Sequence, residues 1–168
     1  MNLPLKERLA VLLATCFGLG LRPKAPGTFG SLAGLPVSWL CAYFFLSGSE
    51  PPTSYPLRVF VILFAASMFA YFVIRAVERL WQSADDQRIV IDEVVGVMCV
   101  CLWFKPGLLS WGLAFGLFRF FDILKPPPIG WIDRYKNSWA TLLDDIAAGF
   151  CAALVLFYLQ YFFPSVLF

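Results

Sequence analysis

Residues 59–74, VFVILFAASMFAYFVI, hold no charged side chain, and neither do residues 25–49 or 146–168. Two shorter uncharged runs, 94–104 and 106–118, flank the turn Lys105-Pro106-Gly107. A chain in hydrocarbon must satisfy its own backbone hydrogen bonds, so runs of this kind fold as helices or as strands of a closed barrel. Barrel strands alternate apolar and polar residues; here the apolar residues surround each segment, as expected for buried or lipid-facing helices. Charged residues make up only 14% of the chain, against roughly 25% in soluble domains. The expected fold is an all-α integral membrane helical bundle of about five apolar helices, forming one domain over residues 1–168. Lys6 and Arg8 precede a further uncharged stretch, residues 9–21. It imitates a secretory signal without a small-x-small cleavage site and falls short of the ~20 residues a spanning helix needs. A short interfacial or re-entrant N-terminal helix is expected there.

Basic residues orient the bundle. Lys6, Arg8, Arg22 and Lys24 precede the first span, Arg75, Arg79 and Arg88 follow the second, and Arg119, Lys125, Arg134 and Lys136 follow the fourth. The opposite side receives Arg58 and Lys105. This distribution predicts a cytoplasmic N-terminus. Ser49-Glu50-Pro51-Pro52-Thr53 reads as an exoplasmic loop, and Pro126-Pro127-Pro128 stops the fourth helix, because proline lacks an N–H and disfavours helix in the residue before it. A net charge of +2, with no basic run interleaved with aromatics, argues against nucleic acid as a partner. The chain has no histidine, which removes histidine nucleophiles and bases and leaves carboxylate sites suited to Mg²⁺, Ca²⁺ or Mn²⁺. Five cysteines, an odd count, all lie in apolar stretches and read as small buried residues. Nothing in the sequence signals an oligomeric state.

Acidic side chains border these apolar runs at three places, where charge is costly. Asp92-Glu93 opens the third span. Adjacent carboxylates there could hold Mg²⁺; the plainer alternative is helix capping. Arg119-x-x-Asp122-x-x-Lys125 closes the fourth span, with Arg119 and Asp122 on one helical face. Asp122 suits a metal or a base and Arg119 and Lys125 suit phosphate oxygens; the alternative is an interfacial salt bridge with a snorkelling lysine. Asp144-Asp145 opens the last span, and one of the pair could serve as a cap. If the runs beside Lys105-Pro106-Gly107 form an antiparallel pair, Asp92 and the Arg119–Asp122 stretch return to one depth, and the distribution of basic residues puts all three acidic spots on the cytoplasmic side. Pro26-Gly27-Thr28-Phe29-Gly30-Ser31 opens the first span, and Thr28, Gly30 and Ser31 are candidates for phosphate or headgroup binding at a helix N-terminus. Cys16-x5-Arg22 has the bare spacing of a cysteine phosphatase loop, but its apolar interior argues against that chemistry. Asp85-Asp86 reads as solvated surface.

These blocks resemble the bacterial phosphatidylglycerophosphatase A family: Pro26-Gly27-Thr28-Phe29-Gly30-Ser31, Ile89-Val90-Ile91-Asp92-Glu93-Val94-Val95-Gly96, Phe118-Arg119-Phe120-Phe121-Asp122-Ile123-Leu124-Lys125-Pro126, and Leu143-Asp144-Asp145-Ile146-Ala147-Ala148-Gly149. They cover residues 26–149 in the family's order. The resemblance implies an all-helical, Mg²⁺-dependent lipid phosphatase of the bacterial inner membrane, with phosphatidylglycerophosphate as its phospholipid substrate and phosphatidylglycerol as its product. In one place the chain departs from the family, with Lys136-Asn137-Ser138-Trp139-Ala140-Thr141 where glycines usually precede the Asp-Asp pair. On this reading Asp92, Asp122 and Asp145 are the first choices for the metal. Glu93 and Asp144 are further ligands, supporting groups or bases. Two other classes compete: transfer of a phosphate-bearing headgroup, for which the aspartate-rich signature is missing, and a small carrier, which would place its acids near mid-span.

Overall fold

The computed structural model of the chain describes residues 4–47, 54–84 and 86–163. The expected loop at 49–53 and Asp85 lie outside the described residues. Every regular element among the described residues is helical. In order they are α1 (Leu5–Ala14), α2 (Pro26–Cys41, continued by a wider turn over Ala42–Leu46), α3 (Tyr55–Trp81), α4 (Ile91–Cys101), α5 (Leu108–Leu124), the single turn α6 (Ile129–Ile132) and α7 (Ser138–Phe162).

Among the described residues three helices are long and apolar enough to cross a membrane: Pro26–Leu46, Tyr55–Trp81 and Ser138–Phe162. At 1.5 Å per residue, the 11 residues of α4 reach only about 16 Å and the 17 of α5 about 26 Å. Both fall short of a hydrocarbon core of ~30 Å. The stretch at 9–21 is not one helix. α1 starts earlier, behind Pro4, and ends at Ala14. Cys16, Phe17 and Gly18 then take successive positive φ values and turn the chain back into a short 3-10 segment, Leu19–Leu21. α1 packs its Ala10, Val11 and Ala14 face on Ala70, Val73, Ile74 and Val77 of α3.

The bundle is organised around α4, a helix of 11 residues. All of its residues from Ile91 to Cys101 are buried except Glu93, which is half-buried. Glycine lets its neighbours come close. A Cβ on Gly30 of α2 would lie 2.6 Å from the Val90 Cβ, and one on Gly34 would lie 2.9 Å from the Val97 Cβ. A Cβ on Gly149 of α7 would strike the carbonyl of Gly96, and one on Gly96 would strike the ring of the fully buried Phe118. The outer faces of the long helices carry large exposed apolar residues, including Phe60, Phe64 and Phe72 of α3 and Phe150, Leu154 and Tyr161 of α7. Apolar surface this extensive is a lipid-facing surface.

Candidate active site

The three acidic spots meet in one cavity of about 260 Å³. Its walls come from the N-terminal ends of α2 (Ala25, Pro26, Gly27) and α4 (Asp92, Glu93), from the C-terminal end of α5 (Arg119, Asp122, Lys125), from the early turns of α7 (Thr141, Asp144, Asp145), and from Asp86, Gln87 and Ile89 between α3 and α4. The N-terminal portions of three helices therefore line it, each contributing a partial positive charge.

The α4–α7 crossing accounts for the meeting of the acids. Asp92 and Gly96 lie one turn apart on α4, as do Asp145 and Gly149 on α7. Gly96 and Gly149 form the point of closest approach, so the carboxylates one turn above are forced toward each other. Oxygens of Asp92, Glu93 and Asp145 all come within 4.8 Å of one another. Asp92 and Asp145 are each 5% exposed, so bulk water does little to screen their repulsion. Glu93 Oε2 is buried without a hydrogen-bond partner. A buried, unpartnered carboxylate oxygen in a group of three acids is what a hard divalent cation would satisfy.

Asp122 lines the same cavity outside this trio. Arg119 Nη1 donates to its Oδ2 and also to Ser31 Oγ at 3.3 Å. Lys125 Nζ donates to Asp144 Oδ2 and to Asp133 Oδ1, both at 2.6 Å. Both cations expected to meet phosphate are thus already engaged with carboxylates. Asp144 and Asp145 do not cap α7, since Asn137 Oδ1 accepts from the N–H groups of Trp139 and Ala140. The first acid of each pair instead accepts the N–H of the second, Asp92 from Glu93 and Asp144 from Asp145, each at 3.1 Å.

The residues expected from the start of α2 divide. Thr28 and Gly30 are not among the cavity residues. Ser31 is fully buried, donates to the Gly27 carbonyl at 2.8 Å and serves as a rest for Arg119. The N–H groups of Thr28 and Phe29 already point to the Ala25 carbonyl, and Pro26 has none. That leaves the Gly27 N–H as the first-turn donor beside the cavity. Gly27 also leaves room for the site's side chains: a Cβ there would displace Glu93 Oε1 and come within 3.2 Å of Arg119 Nη1. Asp86 stands in the cavity wall, gripped by Arg88 through Nε–Oδ1 and Nη2–Oδ2 contacts of 2.8 and 2.7 Å. Those hydrogen bonds hold its carboxyl below the usual carboxylate range. Gln87, Thr141 and Asp133 carry no signal in the linear sequence, and Asp133 comes to Lys125 only through the corner at 126–132.

The family model for Phosphatidylglycerophosphatase A matches residues 12–160. The chain is 36% identical over 153 residues to the phosphatidylglycerophosphatase A of Haemophilus influenzae, covering 89% of this chain and 88% of that protein. It is 30% identical over 155 residues to the Escherichia coli protein of the same name, covering 91% and 84%. A Bacteroides thetaiotaomicron protein named "Putative phosphatidylinositol-3-phosphatase" is 34% identical over 145 residues, covering 84% and 87%. No solved structure matches the chain.

Proposed function

The chain belongs to the phosphatidylglycerophosphatase A family, and from that membership we propose that it hydrolyses the phosphomonoester of phosphatidylglycerophosphate, using Mg²⁺, at the cytoplasmic face of a bacterial inner membrane. The observation that carries the proposal is the Asp92, Glu93 and Asp145 trio with its unpartnered Glu93 oxygen. These three would hold the ion. When bound, Mg²⁺ neutralises charge on a phosphoryl group and makes a coordinated water more acidic.

The protein's own groups then have defined tasks. Arg119 presents five N–H donors, of which Nη1 serves Asp122 and Ser31; the others would be available to the equatorial phosphate oxygens. Gly27 adds a backbone N–H. Asp122, held in place by Arg119, takes the proton of the attacking water. The water oxygen bonds to phosphorus, the bond from phosphorus to the glycerol oxygen breaks, and that oxygen takes a proton from solvent and leaves as phosphatidylglycerol, while Asp122 returns its proton to solvent. Acyl chains stay against the apolar outer faces, so the cavity needs to admit only the headgroup. α4 is buried among the three long helices and α5 returns beside it with an exposed apolar outer face, with the cavity on the side bearing most of the basic residues.

The test is phosphate release by purified protein from phosphatidylglycerophosphate in detergent micelles, with Mg²⁺ and with EDTA, alongside phosphatidylinositol 3-phosphate. Mg²⁺-dependent release from the glycerol lipid supports the proposal. Faster release from the inositol lipid reassigns the headgroup while keeping the chemistry, and undiminished release in EDTA removes the metal.

A further inference from the structure

We infer that Asp133, outside the cavity and in none of the sequence blocks above, is a positioning residue for the reaction, acting through Lys125. The inference rests on the phosphatase reading. An ammonium has three N–H donors. In Lys125 one goes to Asp144 Oδ2 inside the cavity and one to Asp133 Oδ1 outside it, each at 2.6 Å. With two donors fixed, the third has one direction left to it, and Lys125 is itself a cavity residue. A lysine held by Asp144 alone would keep the rotational freedom of a four-carbon stem. Its charge would then be near the phosphoryl group without being directed at it.

The intervening chain is built to make this contact. Lys125 ends α5 in a left-handed conformation, φ 43°. Three prolines stiffen the corner, Ile129 anchors it with its side chain fully buried, and the Asp133 N–H closes the turn on the Ile129 carbonyl at 3.1 Å. Gly130 passes so near that a Cβ would lie 2.6 Å from the Lys125 carbonyl oxygen. Asp133 is about one-third exposed, and a surface carboxylate with no task would not need so constrained a support. The hydrogen bond from Lys125 also holds the Asp133 carboxyl below the usual carboxylate range, so it stays a full charge at neutral pH.

The experiment compares Asp133→Asn, Asp133→Ser and Asp133→Glu with the unaltered protein, alone and combined with Lys125→Met. It measures Mg²⁺-dependent phosphate release per monodisperse protein in micelles. Groups that orient a reacting residue are worth roughly 10–100-fold in activity. A loss of that size in kcat is expected for Asn and Ser, with KM moved less than about threefold and partial recovery in Glu. In the Lys125→Met background, adding Asp133→Asn or Asp133→Ser should cost nothing further, which loss of a merely structural contact would not produce. Two substitutions of different shape keep the comparison open should one fail to fold. Normal turnover by a folded Asp133→Asn or Asp133→Ser protein overturns the inference, as does an equal additional loss in the Lys125→Met background. An inactive unaltered protein would instead overturn the phosphatase reading.

Discussion

At the scale of single residues, Glu93 is held at a cost to the fold. Its Oε2 is buried without a partner, beside two further carboxylates whose oxygens lie within 4.8 Å. A buried acceptor left unsatisfied costs ~1–3 kcal/mol, and uncompensated like charges add to that. Residues kept against stability are expected where function requires them. Glu93→Gln should therefore move stability and function in opposite directions. Without divalent ions the variant should be more stable than the unaltered protein by ~1–3 kcal/mol, read as a higher melting temperature in detergent. Mg²⁺, which stabilises whatever folded state binds it, should raise the melting temperature of the unaltered protein and leave that of the variant nearly unchanged. A variant that melts lower in EDTA and still responds to Mg²⁺ would show that Glu93 is not a ligand.

At the scale of elements, the glycines of α4 and α7 set the distance between the carboxylates. Added to Gly149, a methyl group meets the Gly96 backbone, which cannot move aside without shifting α4. Gly112 and Gly116 of α5 have nothing within 4 Å of a built Cβ. Gly149→Ala should cost ~1–3 kcal/mol by overpacking and should lower turnover, because it drives Asp145 away from Asp92. Gly112→Ala and Gly116→Ala should be neutral or mildly stabilising, since alanine is the better helix former by up to ~1 kcal/mol. Melting temperature and phosphate release, measured on all three, would separate close crossing from a general dislike of alanine. This scale also marks how far the sequence is legible. The return of Asp92 and Asp122 to one depth follows from two uncharged runs of similar length about Lys105-Pro106-Gly107. The shortness of these two runs is also legible, but whether α4 spans is not, because a helix enclosed by others is as apolar as one crossing a bilayer. Ser31 looks like a phosphate-binding residue in the linear chain and is a buried rest for Arg119, since only the α2–α5 packing puts a guanidinium beside it. Lys125 looks available for phosphate because its second partner, Asp133, arrives around a corner that spacing does not describe.

At the scale of the whole molecule, the cavity and the membrane define a direction. The starts of α2, α4 and α7 and the end of α5 share the cavity. At the other end, the Tyr55 hydroxyl near the start of α3 donates to the Leu102 carbonyl just past α4 at 2.7 Å. Lys24, Arg79 and Lys136 therefore belong to the cavity side, and Lys105 to the opposite end. α7 starts with Ser138 donating to Glu78 near the end of α3, and Asp144 and Asp145 follow about two turns later on α7, so they sit roughly 10 Å below the end of the longest helix. A headgroup phosphate at the interface could descend that far without drawing its acyl chains out of the lipid. Single cysteines at Lys24, Arg79, Lys136 and Lys105, on a background lacking the five native cysteines, test this arrangement in vesicles of known orientation. A membrane-impermeant thiol reagent should reach the first three from the cytoplasmic face and position 105 only from the other. Failure of position 105 to label from either face would make α4 and α5 a re-entrant hairpin that turns back within the bilayer. The three long helices would then be the whole of the membrane crossing.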